Sequence, residues 1–289
     1  MAKWNRQVFG GNKMICGVTV LYNPSGEVIE NITSYLKELN KLYLIDNSEI
    51  EDNILKNKFL ELSPKIEYIK LNGNEGIAKA LNIAKNRAIK ENYNWLLTMD
   101  QDSKFENNDF PKMLDLMKKY FNENIAIFSP FHKTIGSIYE NKDILKKDTV
   151  MTSGNLLNLK IAQKVGDFEE KFFIDEVDHN YCCRIKKLGY EIIVLNKIIL
   201  EHKLGNIKKY KFFSVTNHNY VRRYYITRNR LYMIKEYSFL KKRYIKDIIK
   251  DAIKIILAEK DKVRKLKMIY YGMRDYKNNI VGKINKDYL

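Results

Sequence analysis

The chain has 289 residues, 45% of them hydrophobic, with only 13 Gly and 4 Pro, which excludes a disordered or collagen-like chain and leaves one large domain or one domain with an appendage. Its net charge of +17 is unevenly placed: residues 203–289 hold 24 Lys/Arg against 7 Asp/Glu, while residues 1–202 balance at 28 of each. That asymmetry points to a basic appendage meeting something anionic, phospholipid or nucleic acid. The first strand signal is the apolar, β-branched run Ile15–Leu21, ended by the turn cluster Asn23-Pro24-Ser25-Gly26. Val28, Ile32, Tyr35, Leu36 and Leu39 then recur at helical spacing. Leu42–Ile45 is a second strand, closed by Asp46-Asn47-Ser48, with a helix following over about Ile54–Leu62. Ile66–Leu71 is a third strand; Gly76–Lys90 carries a small-residue helix face of Ala78, Leu81, Ala84 and Ala88; Trp95–Met99 is a fourth strand running into Asp100-Gln101-Asp102. This alternation predicts a parallel sheet with helices on both faces. In such sheets ligands bind beyond the carboxyl ends of the strands, where Asn23, Asp46, Asn74 and Asp100 all fall.

Beyond Ile125–Phe128, the stretch Pro130–Lys147 reads as irregular, Val150–Leu159 as extended, Asp175–Leu188 as a helix, and Glu191–Leu195 and Ile198–Leu200 as strands. From Thr216 the pattern is helical and basic. The 13 residues from Met1 to Lys13 lack the apolar stretch of a signal peptide, and no segment approaches the ~20 apolar residues that span a bilayer. A protein that neither crosses a membrane nor carries a secretion signal is expected. Cys16, Cys182 and Cys183 show no zinc-site spacing and read as reduced thiols of a cytosolic protein.

Four elements carry chemistry. Asp100 and Asp102, one residue apart at a strand end, suit a hard divalent cation, Mn²⁺ or Mg²⁺, shared with substrate phosphates. Taken alone, a D-x-D is as well explained by a solvated turn. Asn72-Gly73-Asn74-Glu75-Gly76-Ile77-Ala78, followed by Asn82, lets backbone approach a phosphate or ribose where a helix begins. It lacks the G-x-G-x-x-G spacing of dinucleotide enzymes, and no phosphate loop with Gly-Lys-Ser/Thr exists elsewhere. Phe172-Phe173-Ile174-Asp175-Glu176-Val177-Asp178 leads into a helix; one of its carboxylates can serve as a general base or simply as a helix cap. Glu201-His202 follows a strand, where one His could complete a carboxylate metal site.

In order, over roughly residues 14–205, these elements resemble the family 2 inverting glycosyltransferases. The resemblance implies a GT-A fold, a Rossmann-like mixed α/β sheet flanked by helices. Residues 1–205 would form the catalytic domain and 206–289 a basic helical region. It also implies a nucleotide-diphosphate sugar donor, dTDP- or UDP-linked. Tyr22 and Asn23 match the first nucleotide contact, and Asp46 the Asp that bonds the pyrimidine. Asn74, Gly76, Ala78 and Asn82 match the segment near the nucleotide. Asp100 and Asp102 match the metal pair, Ser153 and Gly154 the segment beside the donor sugar. Asp178 aligns with the catalytic base of the E-D-x-D-L-x-x-R motif, with Asp175 as second choice and Arg184 as the closing Arg. Val177 and Asn180 stand where that motif has acids. The F-I-D-x-V-D form, the D-Q-D-S around Gln101, the H-x-L-G beginning at His202 and Arg223-Tyr224-Tyr225-Ile226-Thr227-Arg228-Asn229 are similar to a rhamnosyltransferase-like branch. His202 would there touch metal or diphosphate, and the branch favours dTDP-rhamnose over UDP-galactose, UDP-glucose or UDP-galactofuranose.

In the appendage, Leu240–Leu257 places Tyr244, Ile248, Ile249, Ala252, Ile255 and Ile256 along one side, with lysines filling much of the rest. Such a basic amphipathic helix can lie on an anionic membrane, here through residues 216–260, at the inner face where a glycan or lipid-linked acceptor is extended. Its apolar face could equally pack on the catalytic domain or form a homodimer. A nucleic-acid-binding protein is the reading from another class; it leaves the acidic strand ends unexplained.

Overall fold

The computed structural model describes residues 14–133, 142–202, 208–209, 214–215 and 219–289. The chain forms two compact units, residues 1–168 with 181–203, and residues 169–180 with 204–289. Residues 169–180, which the sequence reading assigned to the catalytic region, therefore group with the C-terminal unit.

The first unit is built on β1 (Ile15–Leu21), β2 (Lys41–Asp46), β3 (Ile66–Lys70), β4 (Trp95–Asp100), β5 (Ser103–Phe105), β6 (Ile125–Lys133), β7 (Ile144–Lys146), β8 (Asn155–Asn158) and β9 (Glu191–His202). The sheet runs β3-β2-β1-β4-β8-β6-β9-β5, with β7 also on β9. The half containing β3, β2, β1 and β4 is parallel, as the alternation predicts. Beyond it β8 runs antiparallel to both β4 and β6, so the whole sheet is mixed. Fully buried parallel strands need apolar side chains on both faces, and Ile15, Val18, Leu42, Leu44, Leu96 and Leu97 are all at 1% exposure or less.

The helices of this unit are α1 (Glu27–Leu36), α2 (Asn53–Leu62), α3 (Ile77–Lys90), α4 (Asp109–Tyr120) and α5 (Leu159–Val165). In α1 the buried residues are Val28, Ile32, Tyr35 and Leu36, one face of a helix, with Glu27 and Glu30 in the first turn where the helix dipole favours anions. Asp52 caps α2 by accepting from the Leu55 N–H at 3.0 Å. The alanines of α3 are buried, a small-residue face that lets this helix approach the sheet closely.

Two expectations need correction. Where it is described, the stretch Pro130–Lys147 is not all irregular: Pro130 to Lys133 end β6 and Ile144–Lys146 form β7. Glu191–Leu195 and Ile198–Leu200 are not two strands but parts of the 12-residue β9. The breaks read at Pro130 and within β9 share one cause: opposite Pro130 and Phe131 the register jumps from Leu195 to Ile199, an irregularity carrying Asn196, Lys197 and Ile198.

α6 (Val177–Lys187) contains the boundary between the units, after Asn180. The second unit is otherwise helical: α7 (Tyr220–Glu236), α8 (Lys241–Ala258) and α9 (Lys262–Lys277). α7 is buried over much of its circumference, including Arg223, Tyr224, Tyr225, Arg228 and Asn229. On α8, Tyr244 and Ile255 are buried, while Ile245, Ile249, Ile253, Ile256 and Leu257 are 40–67% exposed. The apolar residues of this helix thus lie on two faces rather than the single side expected, because Ile249 and Ile256 point away from Tyr244 and Ile255. No described helix is long and apolar enough to cross a membrane.

Candidate active site

In the first unit the order of the parallel strands reverses between β1 and β4, the switch point at which such sheets bind ligands. Gln101 clasps the two strand ends there. Its Oε1 accepts from the Tyr22 N–H at 2.8 Å and its Nε2 donates to the Tyr22 carbonyl at 3.1 Å. Tyr22 is 46% exposed and follows the last residue of β1. Asn23 turns the chain with φ 45° and donates its N–H to Ser48 Oγ at 2.8 Å.

Asp46, at the end of β2, is 2% exposed and its oxygens accept from Ser48 N (2.9 Å), Ser48 Oγ (2.5 Å) and Tyr68 Oη (2.6 Å). The Lys70 ammonium stands 4.0 Å from it. A carboxylate offers about four lone-pair sites, so Asp46 retains acceptor capacity for a base N–H. Asn47, beside it, was not singled out from sequence. It accepts from the Glu75 N–H at 2.7 Å and donates to Asn74 Oδ1 at 3.1 Å, while Asn74 Oδ1 also accepts from the Gly76 N–H at 3.1 Å. Gly76 has φ 90° and ψ 159°, a conformation only glycine holds without strain, and it opens α3. Ala78, in the first turn of α3, is fully buried.

Asp100 and Asp102 flank Gln101. The Asp100 N–H donates to Ser153 Oγ at 3.0 Å, and His132 Nε2 lies 2.7 Å from the Ser153 carbonyl. The Gly154 N–H donates to the Thr98 carbonyl at 2.7 Å. Gly154 has φ 80°, and a Cβ there would meet Pro130 Cγ at 2.6 Å, so the segment beside Asp100 requires glycine twice over. Register pairs the backbone of His202 with Ser103, the residue after Asp102; the His202 side chain and Lys203-Leu204-Gly205 lie outside the described residues, as do residues 216–218 of the basic region. Among the described residues no three His, Cys, Asp or Glu side chains gather as a metal site. Two carboxylates alone fit a hard, oxygen-preferring cation that takes its other ligands from a diphosphate and water, and do not fit structural zinc.

Asn82 and Arg184 both bond to backbone within this unit. Asn82 accepts from the Phe168 N–H at 2.8 Å and donates to its carbonyl at 2.9 Å. Arg184 donates to the carbonyls of Val165 (3.1 Å) and Asp167 (2.5 Å) and stacks 5.1 Å from the Tyr181 ring centroid. Lys85, with its ammonium driven downward in pKa by burial, adds bonds to Gly166 O (2.8 Å) and Asp167 Oδ1 (2.5 Å). Three side chains therefore hold the turn 166–168, which leads into the carboxylate segment.

That segment belongs to the second unit. Phe173, Asp175 and Glu176 all have positive φ (64°, 62° and 63°), which costs of order 1–3 kcal/mol for each non-glycine residue unless the surroundings impose it. α7 imposes it. Asn229 Nδ2 donates to three carbonyls, Phe172 (2.8 Å), Ile174 (2.6 Å) and Asp175 (3.0 Å). Arg228 reaches the carbonyls of Lys171 (3.2 Å) and Gly282 (2.8 Å). Tyr225 stacks on Phe173 with ring centroids 5.1 Å apart. The R-Y-Y-x-x-R-N motif is thus the support of this loop.

The two candidate bases differ in occupation. Asp175 is held by Arg222 through Nε (3.1 Å) and Nη2 (2.9 Å), although burial still pushes its carboxyl upward. Asp178, in the first turn of α6, accepts the His179 N–H at 2.8 Å and makes no ion pair with another described residue. Burial raises its carboxyl, opposed by the neighbouring His179. Asn180, where the motif has an acid, is 1% exposed and donates to Glu236 Oε2 at 2.9 Å; an acid there would face a second carboxylate.

A rim of carboxylates and amides thus stands at the switch point of a mixed sheet, the place where such sheets hold a ligand. Residues 18–183 match the model of the glycosyl transferase family 2, and the chain belongs to that family. Over 295 aligned residues it is 27% identical to the dTDP-rhamnosyl transferase RfbF of Shigella flexneri, covering 94% of this chain and 98% of that one. Its fold is similar to that of the mannosyltransferase PcManGT of Pyrobaculum calidifontis, solved with GDP-Man and Mn²⁺, at TM-score 0.57 and 13% identity over 91% of this chain and 75% of that one. It is also similar to GalNAc-T7, solved with UDP, GalNAc and Mn²⁺, at TM-score 0.56 and 11% identity over 65% of this chain, but this spans only 43% of GalNAc-T7.

Proposed function

We propose that the chain is an inverting, divalent-cation-dependent rhamnosyltransferase that moves L-rhamnose from dTDP-rhamnose to a glycan or lipid-linked acceptor in bacterial surface-polysaccharide synthesis. The observation that carries the donor assignment is the kinship with a dTDP-rhamnosyl transferase along nearly the full length of both chains.

In this reading Asp46 accepts the N3–H of thymine, framed by Tyr22 and Asn23. The Asn74–Ala78 turn and the start of α3 face the ribose and diphosphate. Ser153 and Gly154 border the sugar. Asn82 and Arg184 act at one remove, by fixing the turn 166–168. Asp100 and Asp102, with His202, would hold the cation, which when bound neutralises charge on the departing diphosphate. Asp178 takes the proton of the acceptor hydroxyl. The hydroxyl oxygen bonds to the anomeric carbon on the face opposite the diphosphate. The old glycosidic C–O bond breaks, its electron pair leaves with dTDP, and the configuration inverts. Asp178 is preferred to Asp175 because Arg222 already occupies both oxygens of Asp175.

The reading places the protein in the cytoplasm, peripherally on the inner membrane face. Its support is the exposed stripe of α8, Ile245, Ile249, Ile253, Ile256 and Leu257, beside the exposed Lys242, Lys246 and Lys250. Calorimetric titration with dTDP and UDP, each with Mn²⁺, Mg²⁺ or chelator, tests the site. Cation-dependent binding that prefers dTDP and vanishes in Asp102→Ala is expected; binding of neither nucleotide overturns the assignment. Co-sedimentation with anionic vesicles at low salt should fall at least tenfold in Ile249→Glu, whereas an unchanged vesicle fraction with a monomer–dimer shift would give α8 to a second copy of the chain.

A further inference from the structure

Glu176 is the least explained residue of the carboxylate segment. It is a carboxylate at 9% exposure, in a left-handed conformation, and no step above uses it. Its Oε2 accepts from Tyr244 Oη of α8 at 2.5 Å and lies 2.9 Å from His179 Nδ1; the Arg230 guanidinium of α7 stands 3.7 Å from Oε1. Arg230 is held in turn by Asp251 at 2.7 Å. Three elements of the second unit therefore converge on one carboxylate. The His179 backbone N–H meanwhile bonds the Asp178 carboxylate, and its ring is fixed on the Glu176 side. A buried carboxylate is expensive to ionise unless a cation or donors are fixed beside it.

Resting on the base assignment made above, we propose that His179, fixed by Glu176 and Tyr244, is a positioning residue that supplies a permanent positive charge beside the Asp178 carboxylate. The groups facing this cluster are Asp175, Glu176 and Asp178 from the loop and α6, Arg222 and Arg230 from α7, and Arg243 and Tyr244 from α8. Burial works against the His179 charge, but the Glu176 hydrogen bond and the Asp178 and Glu176 carboxylates together lift its pKa to about 9. Of the side-chain charges acting on Asp178, His179 is the larger and favours the ionised form, while Glu176 opposes it. α8 thereby serves the chemistry through its buried face, separately from whatever meets its exposed one.

The test needs no substrate. The full chain has only 4 His, so selective isotope labelling resolves each ring by NMR, with His179→Gln assigning its signal. Labelled Asp carboxyls, with Asp178→Asn as reference, report the base. His179 should titrate well above the ordinary histidine range in the wild type, drop by about two pH units in Glu176→Gln, and drop less in Tyr244→Phe. In His179→Gln, whose amide can keep the bond to Glu176, the Asp178 titration should rise by about one pH unit. A purely structural network would alter stability without moving Asp178. An ordinary His179 titration, or an unmoved Asp178 in His179→Gln, overturns the proposal. Because no nucleotide enters, this result stands whether or not dTDP binds. If dTDP-rhamnose turnover is observed, the acid limb of kcat/KM should move upward with Asp178 while the high-pH plateau is kept.

Discussion

The strand-end rim of the first unit and the carboxylate loop of the second are ordered by different means. At the rim, neutral side chains replace backbone partners: Gln101 pairs with Tyr22, Asn47 with the 74–75 turn, Ser153 with Asp100. Glycine takes the unusual dihedrals at Gly76 and Gly154, and Asn23 takes one in the turn after β1. In the loop, Asp175 and Glu176 take such dihedrals themselves and are held by Arg222, Arg230, Tyr244 and His179. The difference suits the two tasks proposed for them. A site for a dianionic diphosphate gains from dipoles and open acceptor sites, whereas a general base needs a charge environment that sets its proton affinity.

The comparison can be broken most severely at Asp178. Asp178→Asn should lower transfer about 10³-fold while leaving dTDP affinity within twofold, measured by turnover and calorimetry on one preparation; equal loss of both would mean that the base and the nucleotide share one support. Asn229→Ala removes a side-chain donor from three carbonyls of the loop, of which Phe172 O keeps the Ile174 N–H at 2.7 Å, and should cost about 2–4 kcal/mol in chemical denaturation. Transfer should fall with it, but dTDP binding at the rim should not. Gly154→Ala should do the converse, costing about 1–3 kcal/mol and weakening dTDP–cation binding, with the titration of His179 unmoved. The smallest effect sharpens the contrast through pH. His179 has a folded pKa of about 9 against an ordinary 6.5, so its contribution to stability is complete below about pH 6.5 and is lost as pH rises through about 9. The stability difference between wild type and His179→Gln should shrink over that window, while Gly154→Ala should show a pH-independent difference.

Much of the first unit could be read from its residues. β1 to β4 announce themselves as β-branched runs between turn clusters, and the strand-end positions Asn23, Asp46, Asn74 and Asp100 do lie on one hydrogen-bonded rim. α4 went unread because Asn107-Asn108 before it and Pro111 within its first turn signal a loop; Pro is tolerated there because the first N–H groups of a helix have no intrahelical partner. The β6–β9 bulge hid behind Pro130 and Asn196, which look like breakers in isolation. The backbone contacts of Asn82 and Arg184 were not legible at all. Each bonds to backbone, 86 residues away for Asn82, and a carbonyl partner leaves no trace in the sequence of the residue that supplies it. The loop's support was half legible: Arg223–Asn229 stood out as a motif, but nothing in it announces that Asn229 would collect three carbonyls of residues 172–175.

The last ten residues close the loop's scaffold from an unexpected direction. The Gly282 N–H donates to Lys171 O at 2.9 Å, its carbonyl receives Arg228, and the Ile284 N–H donates to Tyr225 Oη at 2.8 Å. Loss of residues 282–284, about a hundred residues downstream of Asp178 in the gene, would therefore reach the carboxylate loop through Lys171 and through its supports Arg228 and Tyr225.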